Sequence, residues 1–295
     1  MRQPRAEPTE TSLMLLPLPG WVASGPVESF EAAAFRSGAA LAHLTMITAA
    51  ADVPLALWRD RLALSAAEVC LSHAGRREGA RALRDAVHLT KAGDDPGPAG
   101  RVFRQWSRAV SRPVSVSNLG RALEGVALER IALCLDATGP TPVDRAAHVI
   151  EAVLTDNRRD ETAALILADA VLAASLGGSH VLPLLSLTLK SRDLRRSGNA
   201  LRLACHRAVL AGVGQALSIA SELARDAARL RAVVPKLRAR GAGQAVDLFL
   251  SRDAVAPGAL TFMSDRAARR LCDRLVSLGA VRELTGRETF RLYGV

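Results

Sequence analysis

The stretch "DETAALILADAVLAASLG", residues 160–177, constrains this 295-residue sequence more than any other. From Ala163 to Leu176 it is apolar nearly all round apart from Asp169, so a helix here has no face to offer to water. It must run through the middle of something large enough to surround it. The apolar content of the chain, 49%, is carried by Ala, Leu and Val, with aromatics only 3%, which suits packed helices better than sheets. The expected fold is mainly α, an irregular multi-helix bundle with this helix at its centre. A carboxylate on such a helix must find a partner or shift its pKa upward. Asp169 is therefore a candidate buried polar site, with a hydrogen bond or ion pair to a neighbouring helix as the expected role and a catalytic one as the alternative.

The remaining helical signals divide the chain. Residues 1–27, rich in Pro, Glu, Thr and Gly, read as a loosely ordered arm whose "LMLLPLPGW" straps across a helical surface. Residues 28–240 read as a helical bundle domain of eight to ten helices. In "TPVDRAAHVIEAVLTD", Thr141 is an N-cap candidate and Pro142 fits the first helical position. "PLALWRDRLALSAAEVCLSHAG" opens at Pro54 and stops at Gly75. The segments "GDDPGPAG" (93–100) and "GGSHVLP" (177–183) concentrate turn formers and are expected to be loops. No fixed-period repeat is present.

Residues 241–295 read differently. "GQAVDLFLSRDAV" suggests a helix, "APGAL" a short one, and 264–278 a helix with two unlike faces. Ala267, Ala268, Leu271, Cys272, Leu275, Val276 and Leu278 gather on one half, and Arg266, Arg269, Arg270, Asp273 and Ser277 on the other. Ser264 can cap its start and Gly279 fits the left-handed position beyond its end. "AVREL" and "TFRLY" then form a hairpin with Gly286 at its tip, Val281, Leu284, Phe290 and Leu292 facing inward and Arg282, Arg287 and Arg291 facing solvent. Helix, short helix, basic helix and hairpin are the order of a C-terminal winged helix-turn-helix.

Charge favours the same reading. The formal net charge is +10, which points to an anionic partner. From Arg229 onward thirteen basic residues face six acidic ones, so most of the excess sits in less than a quarter of the chain. A recognition helix presents its N-terminal residues to base edges while a wing arginine reaches phosphate or minor groove. Arg266, Arg269 and Arg270 are the candidates for the groove, Arg287 for the wing, with Arg282 and Arg291 beside it. Asp273 repels phosphate unless Arg269 or Arg270 pairs with it. The expected function is DNA binding, as in a transcriptional regulator, with the bundle sensing, oligomerising or binding a partner. A homodimer would suit paired half-sites. The competing expectation is a protein-interaction scaffold whose winged helix contacts protein.

Other classes find little support. Cys70, Cys134, Cys205 and Cys272 lie far apart, without zinc or disulfide spacing. The six histidines show no ligand-type spacing. Asp94 and Asp95 sit in a turn near His88, where local turn chemistry accounts for them. No Walker loop, strand-linked G-x-G-x-x-G, H-E-x-x-H or G-x-S-x-G occurs, so no enzyme class, metal or cofactor is expected. Prolines interrupt the N-terminal apolar run, which does not make a secretory signal. No uninterrupted apolar stretch of membrane-spanning length is seen, and a cytoplasmic protein without a membrane partner is expected.

Three segments together, "LRDAVHLTKAGDDPGPAGRV", "LADAVLAASLGGSHVLPLLSL" and "MSDRAARRLCDRLVSLGAVRELTGRETFRLYGV", resemble the bacterial domain-of-unknown-function family 1403 over nearly the whole chain after the arm. That resemblance implies no activity, cofactor or catalytic residue. The C-terminal third is also similar to the winged-helix tail of some Fic-domain proteins. The Fic motif H-x-F-x-D/E-G-N-G-R is missing here, so the likeness implies a shared accessory module and no nucleotidyl transfer.

Overall fold

Side-chain caps and left-handed glycines set several element boundaries in this chain. The computed structural model describes residues 17–25, 27, 29–50, 53–91 and 93–295. Along them run α1 (Gly20–Ala23), α2 (Phe30–Ala50), α3 (Leu55–His73), α4 (Ala80–His88), α5 (Gly97–Ser111), α6 (Val116–Ala122), α7 (Leu128–Leu135) and α8 (Pro142–Asp156). There follow α9 (Glu161–Ser175), α10 (Leu185–Thr188), α11 (Gly198–Val233), α12 (Ala242–Phe249), α13 (Asp265–Ser277), and the strands β1 (Arg282–Glu283) and β2 (Tyr293–Gly294). Thr141 caps α8, its hydroxyl accepting from the Asp144 amide at 3.1 Å, with Pro142 in the first position. Beyond α3, Gly75 takes φ +74°, a left-handed turn that a β-carbon would strain.

One expected loop is partly helical. α5 begins at Gly97, inside the segment 93–100 whose turn formers mark it as a loop. Pro98 sits in its first turn, where a missing N–H costs nothing because no carbonyl precedes it to receive one.

The all-apolar segment is central, as expected. In α9 every residue from Ala163 to Ala173 is buried, against α8, α5, α7 and α10. The enclosure ends sooner than the sequence suggests, since Leu176 is 36% exposed. Around it, α11 runs through 36 residues, about 54 Å at 1.5 Å per residue, and packs on α2, α8, α10 and α3. Gly212 lets α11 cross the chain at 184 closely, because a β-carbon there would land on the Leu184 carbonyl. The stretch Gly198–Lys236 is long and apolar enough to cross a membrane by length and composition alone. In its most apolar window 56% is buried within the protein.

The described end of the N-terminal arm is docked. Val22 is buried, and the Arg36 guanidinium donates to the Val22 carbonyl at 2.6 and 2.8 Å and to the Ser24 carbonyl at 2.8 Å. Most of the expected arm, residues 1–16, lies outside the described residues, and with it the first four residues of the strap.

The C-terminal segment packs on the bundle through buried charge. Asp253, 1% exposed, accepts from Arg84 of α4 at 2.6 and 2.9 Å and forms an ion pair with Arg61 of α3. Its own amide donates to Asp60 Oδ2 at 2.9 Å, and Asp60 accepts from Ser107 of α5 at 3.1 Å. Burial raises the Asp60 pKa above the usual range. For Asp253 burial pushes the same way, but Arg84 and Arg61 outweigh it and hold the pKa low. Buried side chains from Val22 to Val295 join one hydrophobic cluster.

Candidate nucleic-acid interface

The geometry of residues 241–295 starts at α12, which follows a left-handed Gly241 at φ +87°. The "APGAL" stretch forms a single 3-10 turn at Pro257–Ala259. Ser264 then caps α13, its hydroxyl accepting from the Ala267 amide at 3.4 Å, and Asp265 occupies the first turn, where the positive end of the helix dipole favours it. Gly279 ends the helix at φ +65°. β1 and β2 pair antiparallel, Arg282 opposite Gly294 and Glu283 opposite Tyr293, and an isolated bridge joins Val255 to the other edge of Tyr293.

The buried face of α13 is narrower than its wheel suggests. Ala268, Leu271, Cys272 and Leu275 are buried, Ala267 and Leu278 are half-buried, and Val276 is 38% exposed. The segment after β1 departs further. Val281 and Leu292 are buried as expected, but Phe290 is 75% exposed with φ +54°, so it does not join the inner face. The pairing is confined to two residues per strand because the tip is organised instead by Glu283. That carboxylate accepts from the Thr285 amide and the Gly286 amide, each at 2.7 Å, and from the Thr285 hydroxyl. Partial burial works against it, yet these hydrogen bonds prevail and keep its pKa low.

The six arginines expected at the interface fall into two groups. Arg266, Arg269 and Arg270 are exposed on the outer side of α13, without an ion pair or hydrogen bond to the described residues. Arg274, which the sequence reading left out, continues the row at the i, i+4, i+8 spacing set by Arg266 and Arg270 and is exposed too. That spacing was the available signal. The three in the tail are engaged. Arg287 forms an ion pair with Asp85 of α4, Arg282 donates to the Val295 carbonyl at 3.4 Å, and Arg291 donates to the Arg287 carbonyl at 2.8 Å. Arg291 also stands 4.0 Å from Asp273. Asp273 thus meets the tail, and neither Arg269 nor Arg270 pairs with it.

Asp169 lies elsewhere and serves the fold. It is wholly buried, and its carboxylate accepts from the Leu184, Leu185 and Ser186 amides at 3.1, 2.9 and 3.3 Å and from the Ser186 hydroxyl at 2.7 Å. It thereby supplies acceptors for the free N–H groups that open α10. Burial pushes its pKa up to about 6, against the pull of these four donors. Asp94 and Asp95 are exposed in the turn before α5, where Asp95 accepts from the Gly97 amide at 3.0 Å. One buried, two exposed, the three carboxylates do not line a common surface.

A second buried polar group escaped the sequence reading because it spans 169 positions. Ser37 Oγ and His206 Nδ1 are 2.8 Å apart, and His206 Nε2 is 3.8 Å from Asp144 Oδ1. Ser, His and Asp recur in nucleophilic sites, but here none is more than 2% exposed. Asp144 is also committed to Arg202 at 2.6 Å and to the Thr141 hydroxyl at 2.8 Å. A substrate has no way to Ser37 Oγ, and the cluster ties α2, α8 and α11 together.

These features define a mainly helical protein with a two-stranded C-terminal sheet and an arginine-lined helix beside it. Over residues 7–295 the chain matches the family described as "Protein of unknown function (DUF1403)", and it belongs to that family. No curated protein and no solved structure matches it.

Proposed function

We propose that residues 241–295 act as a winged helix-turn-helix that binds DNA, with α13 as the recognition helix and the β1–β2 segment as the wing. The observation that carries this reading is the row of Arg266, Arg269, Arg270 and Arg274, exposed and without counter-ions among the described residues. Four guanidinium groups on one helix face repel each other, and a phosphate backbone relieves that repulsion while releasing its own counterions. The bridge from Val255 to Tyr293 adds a third edge to the small sheet, in keeping with a winged module. In this proposal the protein is a cytoplasmic regulator, and the bundle of residues 28–240 senses a signal or forms a homodimer.

A protein-binding role for the module is the second reading, favoured by Phe290 and Phe262, 75% and 41% exposed. Fluorescence anisotropy with duplex DNA across a salt series separates the two. DNA binding that weakens steeply with salt, and is lost in the triple variant Arg266→Ala, Arg269→Ala, Arg270→Ala, supports the first. Equal weak binding by both proteins refutes it and moves attention to the two phenylalanines.

A further inference from the structure

Arg59, one turn into α3, is a cation without a counterpart among the described residues. Its side chain is half-buried, its Nε is fully buried, and it has no hydrogen-bond or acidic partner among the described residues. Burial lowers its pKa, the loss of hydration being the cause. A guanidinium carries five donors that point in fixed directions. Leaving the buried Nε–H unpaired is costly unless something else supplies an acceptor.

Beside Arg59 lies a cavity of about 360 Å3. It is an open cleft bordered by the end of α9, by α2, by the start of α3 and by the segment 177–184, which follows a left-handed Gly177 at φ +74°. Leu44, Leu55, Leu172 and Leu176 give it apolar walls, and Arg59 and His180 are its titratable residues. Ser179 Oγ lies 2.9 Å from His180 Nδ1. Burial, helped by the charge of Arg59, lowers the His180 pKa, which leaves Arg59 as the permanent cation of the cavity.

We propose that this cavity binds a small amphipathic carboxylate, its head accepting the free donors of Arg59 and its hydrocarbon body lying against Leu44, Leu55, Leu172 and Leu176. Size and composition match the usual ligand pocket, mostly apolar with a few converging polar groups. One cation calls for one negative charge, since a doubly charged phosphate would bury an uncompensated charge. A planar carboxylate fits the guanidinium fork in two-pronged fashion. A polar body such as a sugar would leave hydroxyls unpaired against leucine. Arg59 also borders the cleft that contains Asp60 and Asp253, but their carboxylates disfavour an anion there. The inference stands apart from DNA binding and holds whether or not α13 meets nucleic acid.

Isothermal titration calorimetry of the full chain tests it with three probes: octanoate, 1-octanol with the same body but no charge, and acetate with the head alone. Octanoate is expected to bind saturably at one site, at least about tenfold tighter than 1-octanol or acetate, as a charge-assisted hydrogen bond requires. Arg59→Gln should bring octanoate down to the level of 1-octanol, and Arg59→Lys should recover part of the difference. Should Arg59→Gln fail to fold, the comparison of the three probes on the unaltered protein still decides. Absence of saturable octanoate binding overturns the proposal and leaves the cavity to the protein's own chain. Octanoate binding equal to that of 1-octanol, or unchanged in Arg59→Gln, overturns it as well.

Discussion

Asp253 accepts two hydrogen bonds from Arg84, at 2.6 and 2.9 Å, across 169 positions of sequence. With Arg61 on its other side, the carboxylate lies between two guanidinium groups and away from water. Removing it would strand both cations at the seam between α3, α4 and the C-terminal segment. Asp253→Ala should destabilise the protein by about 3 kcal/mol or more, read as a lower urea midpoint.

The Asp253 pKa is held low, so the group carries a pH signature. Its stabilising contribution is complete above about pH 4, the unfolded value, and is lost as pH falls through its lower folded value. In Asp253→Asn that acid-side loss should be smaller than in the unaltered protein.

Asp169 works in the opposite direction. Its folded pKa of about 6 lies above the unfolded value, so the folded state holds the proton more tightly and stability falls as pH rises from about 4 to 6. Asp169→Asn should abolish that slope. It should also cost about 2 kcal/mol at pH 7, because a single amide oxygen cannot serve four donors. Chemical denaturation at a series of pH values checks both.

The two groups of arginines should separate by experiment. If α13 meets DNA, replacing Arg266 or Arg270 with Ala should weaken binding to all sequences and reduce the salt slope by about one for each phosphate no longer neutralised. Arg287→Ala should leave the slope unchanged, because Arg287 is already paired with Asp85. A fall in slope for Arg287→Ala equal to that for Arg266→Ala would contradict the division.

Two glycines of α11, two residues apart, should respond with opposite signs. Gly214→Ala meets open space and should stabilise by roughly 0.5–1 kcal/mol, as alanine favours a helix. Gly212→Ala drives a β-carbon into the Leu184 backbone and should destabilise by about 1–3 kcal/mol. Thermal melts of both variants give the comparison.

All four cysteines are buried. Burial raises their thiol pKa values, that of Cys70 to about 11 and that of Cys272 to about 12. Since the thiolate is the reactive form, a disulfide-exchange reagent should find no fast-reacting thiol in the native protein and four in urea.

What the sequence disclosed was local. Thr141 and Ser264 announced their helices because a cap bonds within three residues, and the apolar girth of 163–173 announced the centre because periodicity needs no partner. Proline at 98 misled, since it both breaks helices and begins them. Phe290 misled because an aromatic in a β-prone run normally packs inward, while here the turn built by Glu283 turns it out. The separation of the arginines could not be read at all: Arg287 differs from Arg266 only through Asp85, 202 positions away. The same holds for Arg59, whose distinguishing property is that no described residue pairs with it.

Arg59, Asp60 and Arg61 are consecutive, and a helix turns 100° at each step. One therefore borders the cavity at the end of α9, while Asp60 accepts from the Asp253 amide and Arg61 pairs with the Asp253 carboxylate. α3 thus carries part of the cavity wall and part of the seat of the C-terminal segment on three adjoining residues of one helix.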